Sequence, residues 1–418
     1  MNGKYIVMGG NRLVGKISVG GAKNSVLPIM AAALLAEGKT TIENVPYLSD
    51  VEVMKEVLRH AGAVVEHKHR RLEVEADKIQ TSEIPETLTR KLRASNLVMG
   101  ALLARMGKAN VAYPGGCSIG SRPLDLHLKG LQLLGAEIKE KGGFIQVRAS
   151  QLVGADIHLD FPSVGATENL MLAAVLAKGT TVIRNAAKEP EIVDLQNFLN
   201  AMGAHVRGAG VGTIVVKGVK SLRGTKHEVI PDRIEVATYM IASAITQGDV
   251  SITNAIPEHV EPVIAKLRET GAEVIVERDT IRVCGPSSLK SVNIKTLPYP
   301  GFPTDVQPQM MTLLTISQGA SMVTETIFEN RFKHAAELRR MGADITLEGR
   351  VALIKGVPRL SGAFVEATDL RAGVALVLAG LVAEGITVVE NISHILRGYE
   401  CIDRKLNQLG AKIVCVET

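Results

Sequence analysis

Along the 418 residues the apolar positions change period again and again, and the sequence of changes itself repeats. Stretches rich in Ala, Leu and Met, apolar almost all round, lead into β-branched runs such as Thr180-Thr181-Val182-Ile183 and Ile386-Thr387-Val388-Val389. Amphipathic stretches follow: Ile192, Leu195, Leu199 and Met202 stand at i, i+3, i+7 and i+10, one apolar stripe along a helix. A short segment comes next, often doubled, as where Ala136 to Glu140 and Phe144 to Arg148 flank a Gly142-Gly143 turn. The pattern predicts a unit of buried helix, strand, amphipathic helix, then strand or hairpin. The first helix of each unit belongs inside, because it has no polar face to offer water.

Two markers count the units. Leu-x-x-x-Gly-Ala-x-(Ile/Val) begins at Leu58, Leu131, Leu199, Leu267, Leu338 and Leu406, at spacings of 68 to 73 residues. Its glycine closes the amphipathic helix, where a left-handed residue is wanted. A second glycine, at Gly38, Gly107, Gly179, Gly248, Gly319 and Gly385, closes each buried segment. Six α+β units of about 70 residues fill the chain, which suggests an α/β fold of two lobes with three units each.

Composition narrows the chemistry. With 46% hydrophobic and 22% charged residues the chain is not disordered. Only 3% is aromatic and Trp is absent, so a base-stacking surface is not expected. The net charge of +5 is dispersed, which favours small anionic ligands over nucleic acid. The longest apolar runs fall short of the ~18 residues of a membrane span, and Met1 to Gly10 lacks a secretory pattern. Cys117, Cys284, Cys401 and Cys415 have neither paired nor metal-type spacing, and read as reduced thiols in the cytoplasm. No motif calls for a metal. Gly208-x-Gly210-x-Gly212 lies in a predicted hairpin and is no dinucleotide signal.

Eleven to fifteen residues before the second glycines stand Lys23, Arg93, Glu168, Arg233, Asp305 and Arg371, all charged and all leading into apolar helices. Two readings are open: these residues cap their own helices, or the helix N-termini converge into an anion trap. Cys117 lies in Pro114-Gly115-Gly116-Cys117-Ser118-Ile119-Gly120-Ser121-Arg122-Pro123, a glycine-rich loop outside the repeat pattern. It is either a small packed hydrophobe or a proton donor, since an unperturbed thiol with a pKa of ~8.5 is protonated at neutral pH; Arg122 nearby would favour the thiolate.

Specific strings then stand out: Gly20-Gly21-Ala22-Lys23-Asn24, Arg93-Ala94-Ser95, Pro114-Gly115-Gly116-Cys117, Arg122-Pro123-Leu124-Asp125-Leu126-His127 and Pro231-Asp232-Arg233-Ile234-Glu235. Later come Phe302-Pro303-Thr304-Asp305, Glu325-Thr326-Ile327-Phe328-Glu329-Asn330-Arg331, Thr368-Asp369-Leu370-Arg371 and Arg397-Gly398-Tyr399-Glu400. Through these the chain resembles the enolpyruvyl transferases from its first strand to its last. The resemblance implies a two-lobed inside-out α/β barrel, with residues 21–229 forming a lobe that carries the Cys117 loop. Residues 1–20 and 230–418 would form the second lobe, with the active site in the cleft between them.

The resemblance further implies transfer of the enolpyruvyl group of phosphoenolpyruvate to the 3-hydroxyl of UDP-N-acetylglucosamine, with release of phosphate. This is the first committed step of peptidoglycan precursor synthesis. Cys117 matches the acid that protonates the methylene carbon, the thiol alkylated by fosfomycin and able to form an adduct with phosphoenolpyruvate. Asp305 matches the base at the 3-hydroxyl. Lys23, Asn24, Arg122 and Arg397 match the phosphoenolpyruvate contacts. Arg93, Arg122, Pro123, Leu124, Asp125, Leu126, Ser163, Val164, Asp305 and Ile327 match the nucleotide-sugar contacts; Asp369, Arg371 and Arg331 line the cleft. Phe161 stands where some relatives have a Lys that reaches the nucleotide. No cofactor is implied, and the expected form is a cytoplasmic monomer. The alternatives are transfer to 3-phosphoshikimate, or an inactive paralogue that binds the nucleotide sugar and regulates a partner.

Overall fold

The Leu-x-x-x-Gly-Ala motif is a helix terminator, and its chemistry is the same six times. In the computed structural model, which describes residues 3–92, 96–113, 119–120 and 124–417, the six glycines have φ between 93° and 112°. Each glycine N–H donates to the carbonyl three residues back, and the following Ala N–H donates to the carbonyl of the motif Leu, as in Gly203→Asn200 and Ala204→Leu199, both 3.0 Å. This pair of bonds satisfies carbonyls that the helix end would otherwise orphan. The six leucines are fully buried and the six alanines nearly so, which explains why the motif needs those residue types as well as the glycine.

The second glycine behaves alike in five units, with positive φ at Gly38, Gly107, Gly179, Gly319 and Gly385. In the fourth unit the left-handed position falls on Gln247 (φ 52°). Gly248 serves there by lacking a side chain, since a Cβ would sit 2.5 Å from the Leu13 carbonyl oxygen. The buried helices are as expected: between Leu370 and Val382, every residue from Arg371 to Leu381 is buried.

Among the described residues there are six four-stranded sheets, all built to one plan. The strand after each buried helix pairs antiparallel with the second strand of the hairpin, and parallel with a short strand donated by another repeat. Glu83–Ile84, at the end of the first repeat, pairs with Lys108–Ala112 of the second. Asp156–His158 passes from the second to Thr180–Arg184 of the third. Lys226–Glu228 then returns to Lys39–Glu43 of the first, closing a ring of three. The other three repeats hand on Ile294–Lys295 and Phe364–Glu366 in the same way. Their sixth sheet takes Gly3–Met8 between Ile386–Glu390 and Lys412–Glu417, and Val14–Ser18 then pairs with Asp249–Thr253. The N-terminal strands therefore supply what the sixth repeat lacks, a hairpin partner and the closing strand.

Two compact units result, each with its own apolar core. Among the described residues, one comprises 21–92, 96–113 and 124–230, and the other comprises 3–20, Ile119, Gly120 and 231–417. Ile230 falls with the first unit, and Ile119-Gly120 falls with the second, where Asn330 N–H donates to the Ile119 carbonyl at 3.0 Å. No described helix is long and apolar enough to cross a membrane.

One repeated turn escaped sequence reading. Asn44, Asn185, Asn254 and Asn391 follow the central strands of four repeats with φ of 52° to 58°. Their side-chain amides donate to Val229, Leu159 and Val19 carbonyls and to the Glu366 carboxylate. The second and fifth repeats have Tyr113 and Glu325 at this place.

Candidate active site

At three of the buried helices the capping side chain is not the charged residue singled out from sequence but one that precedes it. Asp232 Oδ1 accepts from the amides of Ile234 (2.8 Å) and Glu235 (3.1 Å), Asp369 Oδ1 from those of Arg371 (2.9 Å) and Ala372 (3.1 Å), and Ser163 Oγ from that of Ala166 (3.3 Å). Arg233 and Arg371 are thereby left for other work. Arg233 lies over the Tyr299 ring, 5.6 Å from its centroid. Glu168 does not fit an anion trap. It is buried, and burial, with Glu191 and Glu189 close by, raises its pKa well above the carboxylate range.

Asp305 is the centre of a cluster of charged side chains. It sits in the 3₁₀ turn Thr304–Val306, ahead of the helix Gln307–Leu314. Arg331 Nη2 donates to Asp305 Oδ1 at 2.9 Å, while Arg371 Nε and Nη2 donate to Oδ2 at 3.3 and 3.1 Å. Both arginines are 2% exposed, but the Asp305 side chain is 26% exposed and so remains reachable. Two planar forks fix the carboxylate from two sides, as Lys would not. The backbone is held too, since Gln309 Nε2 donates to the Asp305 carbonyl at 3.0 Å.

The arginines are supported in turn. Arg371 stacks over Tyr399 at 5.3 Å, and the Tyr399 hydroxyl shares bonds with Thr238 and Gln309. Burial alone would lower the Arg371 pKa, but Tyr399, Asp305 and Asp232 outweigh it and hold the guanidinium protonated. His334, fully buried next to the cluster, is depressed by burial first and then by the Arg331 charge, against the opposing pull of Asp369. An unfolded His protonates near pH ~6.5, so below that pH the unfolded chain takes up a proton that the folded one refuses. The stabilising contribution is complete above that pH and is lost as pH falls toward the folded value. Urea denaturation from pH 7.5 down to 5 is expected to show a shallower loss of stability in His334→Leu than in the parent.

In the other unit, Lys23 opens the helix Lys23–Ala32, and its Nζ lies 2.7 Å from Asp50 Oδ2, in the first turn of Ser49–Ala61; both side chains are buried. Asn24 follows it, half-buried. Leu124, Asp125 and Leu126 stand at the start of the helix Asp125–Leu133, and Ser163 and Val164 at the start of Val164–Ala174. The two starts are neighbours, because a Cβ on Gly165 would lie 3.3 Å from the His127 ring. His127 Nδ1 bonds Asn169 Nδ2 at 3.0 Å, and Asn169 also bonds the Asn96 carbonyl and the Gly100 amide. Phe161, 45% exposed, offers no charge there.

Arg93, Cys117, Arg122 and Pro123 lie outside the described residues. Ile327 and Arg397 are half-buried, Arg397 ending the 3₁₀ segment Ile392–Arg397. Sequence reasoning passed over Asp50, Asn169, Tyr399 and Glu325 as site residues. Two of these stood inside quoted strings, but a string does not say which of its residues faces another. Among the described residues no group of three or more His, Cys, Asp or Glu is placed to hold a metal ion.

A family profile described as EPSP synthase (3-phosphoshikimate 1-carboxyvinyltransferase) matches residues 7–406. The chain is 58% identical over 410 residues to UDP-N-acetylglucosamine 1-carboxyvinyltransferase 1 of Carboxydothermus hydrogenoformans, covering 98% of this chain and 97% of the relative. It is 56% identical over 413 residues to UDP-N-acetylglucosamine 1-carboxyvinyltransferase 2 of Caldanaerobacter subterraneus subsp. tengcongensis, covering 99% of each. Among solved structures it is similar to the enolpyruvyl transferase NikO from Streptomyces tendae, with a TM-score of 0.90 and 27% identity over 100% of this chain and 99% of that one.

Proposed function

This chain belongs to the EPSP synthase family of enolpyruvyl transferases, and on that footing we propose that it transfers the enolpyruvyl group of phosphoenolpyruvate to UDP-N-acetylglucosamine, releasing phosphate. The observation that carries the choice of acceptor is the 55–58% identity, over nearly the whole chain, to proteins named for that reaction. This is the step that commits the nucleotide sugar to peptidoglycan synthesis.

The chemistry assigns the parts. The 3-hydroxyl oxygen bonds to C2 of phosphoenolpyruvate while C3 gains a proton, giving a tetrahedral intermediate. The C2–O bond to phosphate then breaks, and C3 gives up a proton to restore the double bond. A base must take the hydroxyl proton and an acid must supply C3. Asp305 is the base. Its two guanidinium partners support this role by fixing where the carboxylate points, and its partial exposure supports it by leaving a ligand access. Cys117 is the acid. Lys23, Asn24, Arg122 and Arg397 bind phosphoenolpyruvate; Arg93, Arg122–Leu126, Ser163, Val164 and Ile327 bind the nucleotide sugar. Asp369 and Arg371 set Asp305, as does Arg331. Each unit is an inside-out barrel of three repeats, a reading supported by the cyclic hand-over of short parallel strands. No cofactor and no second subunit is required.

The test is phosphate release from phosphoenolpyruvate by the purified protein. Release that depends on UDP-N-acetylglucosamine is expected. Release with 3-phosphoshikimate instead would support the acceptor in the family description, and release with neither would leave a binding protein.

A further inference from the structure

The fifth repeat replaces the asparagine turn with Glu325, and that substitution brings a carboxylate into a wholly buried position. Its surroundings are all donors. Glu325 Oε1 accepts from Thr296 Oγ1 at 2.9 Å, from the Ile327 amide at 2.8 Å and from the Phe328 amide at 3.2 Å. Oε2 accepts from Thr304 Oγ1 at 3.0 Å. Thr296 Oγ1 in turn accepts from the Thr326 amide at 2.9 Å, and the Thr326 hydroxyl donates to the Thr296 carbonyl.

One side chain thus joins three segments. Thr304 precedes Asp305 in the same 3₁₀ turn, and Ile327-Phe328 begins the stretch that ends at Arg331, one of the two arginines bonded to Asp305. Thr296 follows the strand Ile294–Lys295 and bridges to Phe302, two residues before Thr304. A buried carboxylate is costly unless its oxygens are fully engaged, and here four bonds engage them. The asparagine of the other repeats has a single acceptor oxygen and could not take all four donors.

We infer that Glu325 is a positioning residue for the acceptor side of the reaction: it holds Asp305 through Thr304, and the Ile327 contact through two backbone amides, in one fixed relation. The inference rests on the proposed roles of Asp305 and Ile327. Glu325 itself is wholly buried and does not act on the substrates directly. Its influence passes to the nucleotide sugar and its hydroxyl, leaving phosphoenolpyruvate binding unchanged.

Steady-state kinetics of Glu325→Ala, Glu325→Gln and Thr304→Val test it. Glu325→Ala removes the acceptor of four donors and is expected to raise KM for UDP-N-acetylglucosamine about tenfold. It is also expected to lower kcat by ~10- to 100-fold, the cost of misplacing a reacting group by a fraction of an ångström to an ångström, with KM for phosphoenolpyruvate unchanged. Glu325→Gln should recover to within about threefold of the parent. Its oxygen can accept from the two amides, while its NH₂ donates to a threonine hydroxyl that turns to accept. Should Glu325→Ala fail to fold, Thr304→Val decides, since it cuts only the tie to Asp305; a kcat about fivefold lower with an unchanged KM for phosphoenolpyruvate is expected. Parent-like kinetics in folded Glu325→Ala or in Thr304→Val would overturn the inference, as would Glu325→Gln impaired as deeply as the alanine variant. A parent enzyme inactive with UDP-N-acetylglucosamine would instead overturn the function beneath it.

Discussion

Asp305→Ala is expected to lower kcat by roughly 10³-fold, near the middle of the range a positioned general base contributes. The structure adds a second consequence that sequence reasoning did not contain. A carboxylate with no partner at a solvent-facing position could be removed with little effect on folding. Asp305, however, is the shared partner of two buried guanidinium groups, and removing it strips Arg331 and Arg371 of that carboxylate. Breaking such a pair commonly costs several kcal/mol when it is dry; with the carboxylate partly exposed, solvent repays part of that, and a loss of ~1–3 kcal/mol is expected. The two effects are separable. Thermal unfolding measured at the assay pH gives the folded fraction, and activity corrected for that fraction should still be depressed about 10³-fold. Near-normal corrected activity would remove Asp305 from the base role and leave it structural.

Cys117→Ser is the other large effect. A thiol has an ordinary pKa of ~8.5 and can surrender a proton that an alcohol holds far more tightly. Turnover should fall by at least ~10²-fold, the lower end of what a positioned general acid contributes. Thermal stability is expected to stay at the parent value. The parent, incubated with fosfomycin, should carry a covalent increment on the peptide containing Cys117, and the serine variant should carry none. Turnover within a few-fold of the parent in the serine variant would mean that another group delivers the proton.

The helix terminators were legible in the sequence because their cause is local. A glycine with positive φ, an alanine one residue on and a leucine four residues back from the glycine form a bonding pattern within one turn of helix. The hairpin at Gly142-Gly143 was legible for the same reason, both glycines having positive φ. The short parallel strands were not. Glu83–Ile84 and Lys226–Glu228 are two and three residues long, and their partners are supplied by other repeats.

The candidate residues divide along the same line. Residue type announced Lys23, Asp305 and Arg371, since a charge at the start of an apolar helix is conspicuous. Both readings of those charges needed amendment: caps are supplied by Ser163, Asp232 and Asp369, and Glu168 is no cation. The pairing of Asp50 with Lys23, the support of Arg371 by Tyr399, and the four donors on Glu325 join residues that are far apart in the chain or hidden inside a string.

By itself the sequence determined the number of repeats, the helices that must be buried, the places where helices stop, and the family. All of these follow from periodicity and from bonding within a few consecutive residues. Tertiary structure alone decided that the strands Gly3–Met8 and Val14–Ser18 complete the sixth repeat's sheet and reach the fourth's, that Ile119-Gly120 belongs with Asn330, and that two arginines 40 positions apart share one carboxylate. Those outcomes depend on which donors and acceptors are left over once local structure has formed, and only the assembled chain brings the leftovers together.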